Sequence, residues 1–145
     1  MQRIDIMIEE DIRILFAKNA AKMRKDYAES LREIKIHVGQ DYLLWQLWQK
    51  DGSSQTELCD LMGCEPPTLT NMVKKLEEYG LVTRKKDSLD ARVTRVFLTE
   101  KGSALEYPIA EIWRNHQEKM LTDISVEDRV TLKRLLRQID VNLHI

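Results

Sequence analysis

The sequence predicts a mainly α fold with one small β-hairpin. Apolar residues recur at helical spacing over most of the chain. Pro and Gly, the residues that break helices, number only 3 and 5 in 145. One stretch alone, Leu81 to Thr99, turns to β-branched residues around a polar loop.

The first helix is expected over residues 4 to about 31, with Ile8, Ile12, Leu15, Phe16, Met23 and Tyr27 on one stripe. Asn19 is the polar exception on that stripe. Ile4, Ile6 and Ile8 exceed what one stripe needs, which favours contact with a second subunit. Residues 32–39 read as a linker. Tyr42 to Lys50 reads as the second helix, with Leu44, Leu47 and Trp48 on one face and Tyr42 and Trp45 nearby. Asp51-Gly52 ends it.

Ser54 and Glu57 make an S-x-x-E capping box that starts the third helix. Gly63 ends that helix and permits a turn. Pro66 and Pro67 suit the first turn of a fourth helix, where no intrahelical N–H bond is needed. Leu69, Met72, Val73 and Leu76 form its apolar stripe. Thr68, Thr70, Asn71, Lys74 and Lys75 lie off that stripe and are expected to face solvent. Gly80 is a suitable residue just past its end.

Leu81 to Lys86 and Val93 to Thr99 are expected to pair as a hairpin. Arg84, Lys85, Lys86, Arg92 and Arg95 set five cations against Asp87 and Asp90, on a chain whose net charge is −1. Any basic surface must therefore be local. Helix, turn, helix and basic hairpin together are the layout of a winged helix-turn-helix. A fifth helix follows Gly102, with Leu105, Ile109, Ile112, Trp113, His116 and Met120 on one stripe. Pro108 should kink it or delay its regular start. Ser125 and Asp128 cap the last helix, whose stripe is Leu132, Leu135, Leu136, Ile139 and Leu143. Terminal helices this apolar point to dimerisation.

The segment GSSQTELCDLMGCEPPTLTNMVKKLEEYGLVTRKKDSLDARVTRVFLTEKG resembles the MarR/SlyA family of bacterial transcriptional regulators. The motifs that carry the resemblance are SQTEL, PPTLTNMVKKLE, GLV, the D-x-x-D-x-R loop and LTEKG, with HVGQ ahead of the tryptophans. It implies a single domain over residues 1–145. About 36–102 would be the DNA-binding lobe, and about 1–35 and 103–145 the dimerisation helices. The function it implies is a ligand-responsive repressor, bound as a homodimer to a pseudo-palindromic operator in double-stranded DNA.

The candidate DNA-binding residues follow. Thr68, Thr70 and Asn71 suit base edges, because Asn can pair with adenine and a Thr methyl can meet that of thymine. Pro67 stands beside them at the helix start. Lys74 and Lys75 suit phosphate, as do Ser54 and Gln55 at the N-terminus of the third helix. The resemblance sends Arg92 into the minor groove, with Asp90 as its brace. Arg84, Lys86 and Arg95 complete the basic hairpin. It also places Met23, Tyr27, His37, Tyr42 and Trp45 beside the lobe, where they would line a pocket for a small aromatic effector.

Other classes find less support. No nucleotide-binding, hydrolase or metalloprotease motif is present, so no catalytic residue and no cofactor is expected. No apolar run approaches the ~20 residues of a membrane span. Acids at the N-terminus argue against a signal peptide, and a cytoplasmic protein without membrane partners is expected. Cys59 and Cys64 lack metal-ligand spacing, and His37, His116 and His144 are scattered. Cys59 is expected to be a small core residue and Cys64 to be partly exposed, with no metal bound and no control of DNA binding by oxidation. Some MarR relatives sense oxidants through a cysteine near the start of the first helix, and this chain has none there. The remaining rivals are a constitutive architectural DNA binder and a winged-helix module that binds protein.

Overall fold

A computed structural model describes residues 3–143, with side chains from residue 7 onward. Two predicted features, the Ile4 and Ile6 side chains and His144, lie outside the described residues. The elements run α1 (Arg3–Arg32), α2 (Gln40–Gln49), α3 (Gln55–Met62), α4 (Pro66–Glu78), β1 (Val82–Lys86), β2 (Thr94–Leu98), α5 (Glu100–Ala104), α6 (Glu106–Met120) and α7 (Val126–Asn142). The fold is mainly helical with one antiparallel hairpin, in the register Val82↔Leu98 to Lys86↔Thr94. The chain divides into two compact units, residues 1–112 and 113–145.

In the first unit, α2, α3 and α4 pack on one another and on the hairpin. Leu43, Leu44, Leu47, Leu58, Leu69, Val73, Leu76 and Val96 are its closed core. The predicted stripe of α4 supplies Leu69, Val73 and Leu76, and α3 supplies Leu58. Leu43 is the addition: α2 is buried on more than the single face that Leu44 and Leu47 mark. The α1–α2 connection is also anchored, because Ile36 is buried and the Gln40 side chain accepts from the His37 N–H.

Local chemistry sets the helix ends. Ser54 Oγ accepts from Glu57 N–H at 3.1 Å, as a capping residue should. The reciprocal half of the box is replaced: the Glu57 carboxylate lies 3.0 Å from Lys50 Nζ. Ser54 is also β-bridged to Arg95. Gly63 closes α3 in the left-handed region at φ 65, a conformation that costs a glycine little. The predicted fifth helix divides at Leu105 into α5 and α6, which leaves Pro108 in the first turn of α6, where its missing N–H costs nothing.

Along α1 the apolar stripe stays open, with Ile12 54% and Phe16 48% exposed. In the second unit, α7 buries no residue, and Leu135 and Leu136 are 46% and 42% exposed. Arg129 holds the turn before it by donating to the carbonyls of Leu121 and Ile124. A groove beside α7 is lined by Met120, Leu121, Leu132 and Leu136 with Arg129 and Arg137 at its rim.

Candidate nucleic-acid interface

α4 starts at two prolines and presents Pro67, Thr68, Asn71, Lys74 and Lys75 to solvent. Among the described residues no carboxylate pairs with Lys74 or Lys75. Thr70 departs from expectation. It is half-buried, and its hydroxyl donates to the Pro66 carbonyl at 2.9 Å, which back-bonds the first turn. Ser54 departs too: it is buried, with its hydroxyl used as the α3 cap. Gln55 is half-buried, and its side-chain oxygen is enclosed with no hydrogen-bond partner among the described residues.

The hairpin is tied to the α2–α3 turn almost as a third strand would tie it. Gly52 N–H donates to the Val96 carbonyl and Val96 N–H to the Ser53 carbonyl, each at 3.0 Å. Asp51 Oδ1 accepts from Leu98 N–H at 2.8 Å. Arg95 completes the joint. Its Nε lies 2.6 Å from Asp87 Oδ1, and its Nη1 donates to the Gly52 carbonyl at 3.0 Å. Arg84 is committed likewise: its Nη2 donates to Glu77 Oε1 at 2.9 Å, and its backbone N–H to Oε2 of the same carboxylate. Arg84 and Arg95 thus hold the hairpin against the lobe rather than standing as open cations.

Hydrogen bonds from Arg95, then from the Leu89 and Asp90 N–H groups, hold the Asp87 carboxyl below its ordinary pKa. Bonds from Arg84 do the same for Glu77, and bonds from Arg92 for Asp90.

At the tip of the hairpin Arg92 is the exposed cation, with 90% of its side chain open to solvent. Asp90 braces it through Nε at 3.1 Å and Nη2 at 3.2 Å and also accepts its backbone N–H. Lys86 is exposed, and Lys85 Nζ lies 5.6 Å from the Phe97 ring centre. Asp51 and Asp87 are the residues that the sequence reading missed as organisers of the hairpin. Asp51-Gly52 was visible as a turn, but its reach to Leu98 leaves no local mark.

The expected pocket residues lie in the first unit. Tyr42 and Trp45 stack, with ring centres 5.8 Å apart and planes 15° from parallel. His37 and Tyr42 are exposed, while Met23, Tyr27 and Trp45 are half-buried. Burial, then the nearby Asp41 and Asp26 carboxylates, push the Tyr27 hydroxyl pKa up. Among the described residues no group of three His, Cys, Asp or Glu side chains could hold a metal ion.

Two helices joined at a glycine turn, followed by a hairpin braced onto them, define a winged helix-turn-helix protein. The MarR family model matches residues 39–94, which run from the start of α2 to the hairpin. The organic hydroperoxide resistance transcriptional regulator of Bacillus subtilis is 29% identical over 105 residues, 72% of this chain and 71% of its own. A MarR transcriptional regulator from Methanosarcina mazei superposes with a TM-score of 0.83 at 27% identity, over 92% of this chain and 96% of the other. S. aureus MepR in complex with DNA shares the fold, with a TM-score of 0.85 at 24% identity over 90% of this chain and 97% of the other. Residues 39–94 carry a MarR family domain, and the fold around it is that of winged helix-turn-helix MarR regulators. Among the described residues no helix is long and apolar enough to cross a membrane.

Proposed function

We propose that this regulator binds a pseudo-palindromic operator as a homodimer, and that a small aromatic effector releases it. The observation that carries the reading is the pairing of two open cationic elements on one braced lobe. One is the N-terminal face of α4, with Thr68, Asn71, Lys74 and Lys75; the other is Arg92 at the hairpin tip. A homodimer would set two α4 helices in successive major grooves, about 34 Å apart. Asn71 and Thr68 would meet base edges, Lys74, Lys75 and Lys86 phosphates, and Arg92 the minor groove. Arg84, Arg95 and Asp90 would act by positioning. The open stripes of α1 and α7 supply the surface that a second copy would cover, in about 1–35 and 103–145. MepR, solved on DNA, supports the same use of this fold. A regulator of this kind works where the chromosome is, in the cytoplasm.

The effector would sit against Met23, Tyr27, His37, Tyr42 and Trp45. It would favour a dimer whose α4 spacing does not match the groove repeat, so ligand and DNA would oppose each other reciprocally.

Binding-site selection followed by fluorescence anisotropy at several salt concentrations tests the DNA reading. The expected result is a palindromic consensus, with affinity that falls steeply with salt. Equal affinity for all duplexes would make the chain an architectural binder, and no affinity would make it a protein-binding module. Adding phenolic acids to the bound complex should quench tryptophan emission and release DNA together. Quenching without release, or no response, would remove the effector from the reading.

A further inference from the structure

The two cysteines meet at the turn of the helix-turn-helix. Gly63 N–H and Cys64 N–H both reach back to the Cys59 carbonyl, at 2.9 and 3.3 Å. The bond from Cys64 is the six-residue closure of a Schellman motif, which brings a side chain in the last helical turn against the one just past the glycine. Here those side chains are Cys59 and Cys64. The Cys59 thiol donates to the Cys64 carbonyl at 2.9 Å. A backbone bond between two residues keeps their Cα atoms near the roughly 4–7 Å that a disulfide spans. Both cysteines are free thiols; Cys59 is buried and Cys64 half-exposed.

We propose that Cys59 and Cys64 are a dithiol–disulfide couple, closed by hydroperoxides, within the turn that joins α3 to α4. The thiolate of Cys64, the more accessible sulfur, attacks the outer oxygen of a hydroperoxide. An S–O bond forms, the O–O bond breaks, and the alcohol leaves with the thiol proton. Cys59 then gives up its proton and attacks the sulfenic sulfur. The S–S bond forms and water departs, so one peroxide takes two electrons from the pair. Burial, and next the neighbouring Cys64 thiol, raise the Cys59 pKa, which suits it to resolve rather than to attack first. The site lies away from the first-helix position at which relatives sense oxidants, and the couple does not depend on DNA binding.

The test is tert-butyl hydroperoxide on the full-length protein, followed by alkylation, intact mass measurement, and digestion that cuts between Cys59 and Asp60. Expected are the loss of two hydrogens, protection of both thiols, and fragments 59 and 64 joined until dithiothreitol is added. Cys59→Ser should stop at Cys64 sulfenic acid, trapped by dimedone. Cys64→Ser should leave Cys59 alkylatable after denaturation. Oxidation of Cys64 beyond sulfenic acid with Cys59 still free, linkage of two chains through Cys64, or no reaction would each overturn the proposal.

Discussion

Replacing Gly102 by Ala tests whether the hairpin is seated as closely as the structure has it. Gly102 is buried in α5, and a Cβ there would lie 2.1 Å from the Leu81 carbonyl oxygen. Contacts below 3.0 Å are essentially absent for real Cβ atoms, so about 1 Å of backbone must give way. That carbonyl already accepts Thr99 N–H at 3.0 Å, and the Gly102 carbonyl accepts Trp48 Nε1–H at 3.2 Å. Neither side can retreat without loss. Overpacking of this kind costs about 1–3 kcal/mol, and alanine returns up to ~1 kcal/mol in helix propensity. A net loss of about 1–2 kcal/mol corresponds to a fall in Tm of roughly 2–8 °C for a chain of this size. Thermal unfolding followed by circular dichroism, at fixed protein concentration because a dimer would couple to it, measures the change. An unchanged or higher Tm would refute the close approach of α5 to the Leu81 carbonyl.

Other outcomes follow from the same geometry. Arg92→Ala should leave Tm unchanged, because its ion pair is exposed, and lower the salt slope of operator binding by about 0.9; a lower Tm with an unchanged slope would make Arg92 structural. Asn71→Ala should cost roughly 1–3 kcal/mol on the preferred operator and little on random DNA, and equal losses in parallel anisotropy titrations would remove it from base reading. Asp87 and Glu77 have folded pKa values below their unfolded ones. Their contribution is therefore full above their unfolded values, roughly above pH 5, and lost as pH falls through the lowered values. Asp87→Asn should flatten that acid limb in urea titrations, and an identical acid profile would show that Asp87 does not supply it. A Leu132→Glu, Leu136→Glu pair should turn a micromolar dimer into monomer by sedimentation equilibrium while helical content is kept; a persisting dimer would exclude the α7 stripe as the interface.

Much of this fold is written locally. Ser54 and Ser125 cap helices because a hydroxyl and an N–H three residues on need nothing else. Gly63 closes α3 and the two prolines open α4 for equally local reasons, and the hairpin follows from alternation. The proposed DNA-facing residues Thr68, Asn71 and Lys74 were therefore legible, since their exposure follows from the period of α4.

What only the tertiary structure decided concerns partners far apart in sequence. Composition marked Arg84, Arg92 and Arg95 alike as basic. Folding engaged the first with Glu77 and the third with Asp87 and the Gly52 carbonyl, and left Arg92 exposed. The same distance effect took Ser54 into the lobe, let Asp51 hold Leu98, and buried Leu43 beside Leu44. Cys59 and Cys64 are close in sequence, yet their meeting depended on a left-handed Gly63 that folds the chain back on its own last turn. Periodicity reports which face a side chain takes. It does not report which group from another element arrives there, because hydrogen bonds and ion pairs across a fold have no repeat in the sequence.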